Sequence, residues 1–149
     1  SLAGGDPFEA IANRSYKGKG VRTINKCDME LVQQTRKEMG DKPVIVVVNC
    51  ANPLVMSEIE PYCDAILVTF SVQNQAILDI VTGKAEPYAL LPFQMPANMK
   101  TVELQAEDTP RDMECYVDAC GNVYDFAFGL NWSGKINDWR VEKYGNKKY

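Results

Sequence analysis

With 149 residues, 46% of them hydrophobic and 24% charged, the chain has the length and composition of one soluble globular domain. A net charge of −4 argues against nucleic acid, whose phosphates call for a basic surface, and no apolar run approaches the ~20 residues that cross a membrane. There is no histidine, which removes the commonest general base, the Ser/His and Cys/His nucleophile pairs and the commonest metal ligand.

Residues 1–25 read as an irregular arm, with turn chemistry at Gly4-Gly5-Asp6-Pro7 and a flexible Lys17-Gly-Lys-Gly20. A helix is expected from near Asn25 or Asp28, with Leu31, Val32, Thr35 and Met39 at helical spacing and Gly40 as its stop. Pro43 then opens an apolar, β-branched run to Asn49, which suits a parallel strand buried on both faces. Asn52-Pro53 predicts a short helix to about Glu60, ended by Pro61. Ala65 to Phe70 reads as a second strand. Ser71 is the expected N-cap of a further helix with Ala76, Ile77, Ile80 and Val81 as its apolar stripe and Gly83 at its end. Leu90 to Phe93 is a third short strand, with Pro92 at its end or on an edge.

Residues 26–96 therefore read as a βαβαβ core, and 97–149 as meander, hairpin and tail of the same single domain. The hairpin is expected from Met113–Val117 and Val123–Phe126 around Asp118 to Asn122. The expected fold class is α/β: a three-layer, flavodoxin-like α/β sandwich with a mainly parallel sheet and a small C-terminal hairpin. The aromatic run Phe126 to Leu130, with Trp132, serves either packing or the stacking of a sugar or other flat ligand.

The loops narrow the chemistry. Neither strand is followed by GxGxxG or a GK[ST] phosphate loop, so a nucleotide site is disfavoured. A ligand would still lie beyond the carboxyl ends of the strands. There the candidate binding side chains are Asn49, Asn52, Gln73 and Asn74, amides suited to hydroxyl-rich ligands and equally suited to capping loops and helices. The carboxylates are many, but no pair has the apolar setting that would raise one pKa, so no catalytic residue is assigned. The five cysteines (Cys27, Cys50, Cys63, Cys115, Cys120) form no CxxC, which leaves no zinc site and no metal. Cys115 and Cys120 flank a turn, either bonded or as free thiols.

Asp64-Ala-Ile-Leu67, Asn74-Gln-Ala-Ile-Leu-Asp-Ile-Val-Thr-Gly83, Glu86-Pro87, Leu91-Pro-Phe-Gln-Met-Pro96 and Val123-Tyr-Asp-Phe-Ala-Phe-Gly-Leu130 together resemble the carboxy-terminal domain of glycoside hydrolase family 3, which holds β-glucosidases and β-xylosidases. The resemblance runs from about Asp28 to Trp132. Departures mark a distinct branch: Ala89-Leu90 where the family commonly has Gly and a basic residue, Ala127 for a Gly, and Asn131-Trp132 for Ser-Tyr. The resemblance implies a parent enzyme that hydrolyses terminal β-linked glucose or xylose with retention. It places the nucleophilic aspartate on an amino-terminal barrel and carbohydrate substrate at the interface with that barrel. It implies no cofactor, no nucleic acid or membrane partner, and a soluble parent, periplasmic or secreted. The family's sheet has about six strands, so this chain would hold an incomplete version, inert alone, that packs on the barrel and self-associates through its open sheet edge. Two other readings stand beside it: a small-ligand binding module of flavodoxin-like fold, and a purely structural or interaction domain.

Overall fold

The computed structural model describes residues 25–106 and 109–145; the irregular arm expected over 1–25 lies almost wholly outside them. In chain order the elements are helix α1 (Lys26–Met39), strand β1 (Ile45–Asn49), 3-10 turns Met56–Glu58 and Glu60–Tyr62, and strand β2 (Ala65–Thr69). Helix α2 (Asn74–Val81), helix α3 (Met99–Leu104), strands β3 (Leu130–Asn131) and β4 (Gly134–Lys135) and a π-helical turn Val141–Gly145 follow.

α1 ends where Gly40 adopts φ +56° and returns its N–H to Arg36 O, a left-handed stop that costs glycine no Cβ clash. Arg36 then ties the helix to the sheet. Its guanidinium donates to the carbonyls of Tyr62 (3.0 Å), Gly40 (3.1 Å) and Lys42 (3.2 Å) and pairs with the Asp64 carboxylate. Asp64 also accepts from Val44 N–H at 2.7 Å, so one ion pair aligns the starts of β1 and β2. The strands pair in parallel from Ile45 opposite Ala65 to Asn49 opposite Thr69.

Several expectations are corrected. The connection after β1 is not a helix from Pro53. Val55 is extended at ψ 100°, and Pro61, which lacks an N–H, fits only the short second 3-10 turn. Ser71 is not the cap of α2. It sits at φ +56°, its N–H held by Asn49 Oδ1 at 2.8 Å, and the helix starts three residues later behind Gln73. Leu90–Phe93 is not a third parallel strand, so among the described residues the parallel sheet has two strands. β1 is not buried on both faces: Ile45 and Val47 are 43% and 40% exposed.

The segment around Leu91–Ala97 instead joins the C-terminal region. Leu91 N–H donates to Phe128 O (2.7 Å) and Ala127 N–H to Leu91 O (2.8 Å). Further on, three backbones close a ring: Met95 N–H to Tyr124 O, Tyr124 N–H to Tyr116 O, and Tyr116 N–H to Met95 O, each at 2.9 Å. The predicted hairpin is the antiparallel bridge between Val117 and Val123. Gly121 at φ +79° supplies its left-handed residue, and Asp118 accepts from the N–H groups of Cys120 and Asn122. Helix α3, hidden in what reads as meander, is capped by Asn98, whose Oδ1 accepts from Thr101 N–H at 3.0 Å.

The core gathers where the two regions meet. Cys50, Met56 and Met95 are buried together, with Val48, Leu54, Ile66, Val68, Phe93, Tyr116 and Tyr124 packed around them. Tyr124 stacks on Phe128 with ring centroids 5.0 Å apart.

Candidate functional site

Two elements end at the same place: β1 at Asn49 and β2 at Thr69, so the loops after them share the carboxyl edge of the parallel pair. Asn49 bridges those loops through Ser71 N–H, and Cys50 N–H closes on Thr69 O at 2.8 Å. Asn49 thus performs the structural task that amides after strands commonly perform. From there a groove of about 1160 Å³ runs along β1 and α1 to Phe93, Gln94, α3 and Arg111. Asn49 and Asn52 line it; Gln73 and Asn74 do not. Those two stand exposed at the start of α2.

At the far end of the groove lies a polar junction whose members are scattered in sequence. Asp125 accepts from Arg111 (2.9 Å), Gln94 (2.9 Å) and the Phe126 N–H (2.7 Å). Arg111, itself at φ +60°, also donates to Gly145 O at 2.6 Å and lies 5.6 Å over the Phe126 ring. Burial would raise the Asp125 carboxyl, but the Arg111 guanidinium, the Phe126 N–H and the Gln94 amide outweigh it and hold it below the usual range. Gln94 donates as well to Cys115 Sγ at 3.1 Å. Burial, with the Asp125 charge, pushes that thiol up to about 11.

A second cluster lies under the hairpin. Tyr116 Oη donates to Glu60 Oε2 at 2.8 Å, its ring edge-on to Tyr124 at 5.3 Å. Burial and the bond to Glu60 push the Tyr116 phenol up to about 12. Burial and the charges of Asp118 and Glu60 push Tyr124 higher still. Burial, then Glu60 and Asp64, raise the Cys63 thiol to about 11. These groups stay protonated at neutral pH and act as hydrogen-bond donors and packing surface, since a thiol needs its thiolate to be a nucleophile. All five cysteines, Cys115 and Cys120 included, are free thiols.

Asp64, Asp118, Asp125 and Asp138 are all held below the ordinary carboxylate range by their donors. A glycosidase acid needs the opposite shift, so none of these four is poised as that acid. Neither polar cluster was visible in the sequence, because Gln94, Arg111 and Asp125 come from three separate loops. The one local signal was the odd glutamine in Pro92-Phe-Gln-Met-Pro96, a polar side chain amid apolar neighbours.

The sequence pattern described as "Glycosyl hydrolase family 3 C-terminal domain" matches residues 17–132. "Beta-glucosidase C" of Emericella nidulans is 39% identical over 90 residues, 60% of this chain and 14% of that protein. "Probable beta-glucosidase C" of Aspergillus flavus is 33% identical over 106 residues, 71% of this chain and 16% of that protein. A "Periplasmic beta-glucosidase/beta-xylosidase" of Dickeya chrysanthemi is 26% identical over 88 residues, 59% of this chain and 12% of that protein. The chain therefore spans well under a fifth of the length of these relatives. No solved structure matches it. No helix among the described residues is long and apolar enough to cross a membrane.

Proposed function

Since the chain belongs to the glycosyl hydrolase family 3 C-terminal domain family, we propose that it is the carboxy-terminal α/β domain of a retaining β-glycoside hydrolase acting on terminal β-linked glucose or xylose. The observation that carries this reading is the family match over 17–132, joined by relatives whose printed names are β-glucosidase and β-glucosidase/β-xylosidase. The nucleophilic aspartate belongs to an amino-terminal barrel, where a covalent glycosyl-enzyme intermediate forms and is hydrolysed. No acid, base or nucleophile is assigned to this chain, which is inert alone. Its part is to pack on the barrel and to wall the sugar site with the loops after β1 and β2, where Asn49 and Asn52 line the groove.

The exposed Ile45 and Val47 fit this role. The parallel pair is a fraction of the three-layer, roughly six-stranded sandwich of the parent, and its open faces are covered there. In the isolated chain the same surface takes a second copy. The parent works in the periplasm or outside the cell, as the printed name of the Dickeya chrysanthemi relative suggests.

The test is turnover of aryl β-glucoside and aryl β-xyloside by the chain alone and by the chain joined to a family 3 barrel. Turnover only by the joined protein is expected; clear hydrolysis by the chain alone overturns the reading.

A further inference from the structure

Segment 86–91 and segment 127–132 run side by side, fastened at Leu91 to Ala127 and Phe128 and, at the other end, by Trp132 N–H donating to Glu86 Oε1 at 3.2 Å. Gly129 permits the close approach, since a Cβ there would meet Ala89 O at 2.3 Å. Just beyond, Arg140 donates to Tyr88 O at 2.8 Å and lays its guanidinium 4.1 Å over the Tyr88 ring. The two fastenings are two residues apart on one segment, at most about 7 Å along it, so they bring Trp132, Tyr88 and Arg140 to one region of the surface, a ledge.

That ledge is built to show rings to solvent. Trp132 is 62% exposed, Trp139 63% and Tyr88 70%. Trp132 occupies the two-residue turn between β3 and β4, where a side chain projects away from the core. Its own backbone N–H holds the Glu86 carboxylate beside the indole. Trp139 approaches Tyr144 with centroids 6.3 Å apart, and Arg140 is fixed by Asp138 at 2.7 Å. Tyr88 is held by Arg140, and Trp139 by Tyr144 and Lys143, which lowers the cost of ordering those two rings at the moment of binding. Exposed flat rings flanked by a carboxylate and a guanidinium present an apolar face and hydroxyl partners together. Trp139, Arg140 and Tyr144 also lie beyond residue 132, where the family match stops.

We propose that Tyr88, Trp132 and Trp139, with Glu86 and Arg140, form an ancillary binding ledge for a β-linked gluco- or xylo-oligosaccharide. The rings stack on the axial C–H faces of the sugar, and Glu86 and Arg140 meet its hydroxyls. The sugar class rests on the reading given under Proposed function; the ledge itself rests on geometry.

The chain's two tryptophans both belong to the ledge, so intrinsic tryptophan fluorescence of the full chain reports on it alone. Titration with cellotetraose and xylotetraose should give a saturable change, and maltotetraose, whose α-linkages curve the chain away from a flat row of rings, a much weaker one. Trp132→Ala should weaken binding roughly tenfold, on the order expected for losing one stacked ring. Trp132→Phe should restore most of it, while circular dichroism of both variants stays unchanged. The loss is read in these variants from the remaining Trp139. No saturable response to either β-linked oligosaccharide, or a response that survives Trp132→Ala intact, overturns the proposal. Binding by the chain that does not go with hydrolysis by the barrel-joined protein would keep the ledge and defeat the enzyme reading. The reverse result would do the opposite.

Discussion

The parallel pair with its two helices and the ring-closed region after Leu91 are made of similarly apolar sequence, yet they bury it differently. Neither α1 nor α2 contains a buried residue, and Leu31, Ile45, Val47 and Leu78 are each 40% exposed or more. Across the junction, Met95 is wholly buried and Ala127, Phe128 and Ile136 nearly so. The difference lies in how each region satisfies itself. A parallel strand needs a layer on each face and a neighbour on each edge. The second region folds short irregular segments onto one another, and its Met95 fills a core shared with Cys50 and Met56 of the first. The chain thus has one well-filled core at the junction of its two regions and, on the parallel pair, outer faces that depend on what lies against them.

The largest test of this contrast is Met95→Ala, which hollows the core where the two regions meet. Truncating a buried methionine costs about 2–5 kcal/mol, so the urea midpoint should drop steeply or the chain should lose its native fold. Asp125→Asn should cost less, about 1.5–3 kcal/mol, by removing the charge that Arg111, Gln94 and the Phe126 N–H all address. Its pH signature has a definite sign. The folded carboxyl is more acidic than the unfolded one, so its contribution is complete above about pH 4 and is lost as pH falls through the lower folded value. The variant should show a flatter acid limb in denaturation curves taken between neutral and strongly acidic pH.

On the dependent side the effects shrink. Asn49→Ala removes the bond to Ser71 N–H and should cost about 1 kcal/mol, seen as faster amide exchange at Ser71. Val47→Lys, at a 40% exposed position, should shift stability by no more than about 0.5 kcal/mol. It should nonetheless abolish association of the isolated chain in sedimentation at micromolar concentration. A wild-type chain that sediments only as monomer would refute the claim that this face takes a second copy. A severe loss of stability in Val47→Lys would show the face to be internally packed after all.

What was legible in the sequence follows the same division. α1, β1, β2 and α2 announce themselves by periodicity, β-branching and glycine stops, all of them local signals. The hairpin at Asp118–Asn122 was equally local, because its turn chemistry sits within five residues. Leu90–Phe93 misled because its apolar composition suits either a strand or a packed loop, and only its distant partners, Phe128 and Tyr124, decide between them. α3 was missed because six residues are too few to show a period, although Asn98 gave a fair cap. Of the amides proposed for binding, Asn49 and Asn52 reached the groove because β1 ends beside it. Gln73 and Asn74 were carried away because α2 begins two residues later than a Ser71 cap suggested. The junction at Asp125 could not have been read at all, since its geometry exists only once three loops have met.

The closed ring of Met95, Tyr116 and Tyr124 carries a kinetic consequence. In a ladder, a terminal bond can open while the rest hold. In a three-membered circuit each backbone is both donor and acceptor, and displacing any one disturbs two bonds. The segments are separated by 21 and 8 residues, from 95 to 116 and from 116 to 124. Closing the circuit therefore requires one long loop to be formed before any reward is collected. The ring should form late in folding and open as one unit, with the three amide protons exchanging at a common rate, so that it acts as the clasp whose release frees the whole C-terminal region.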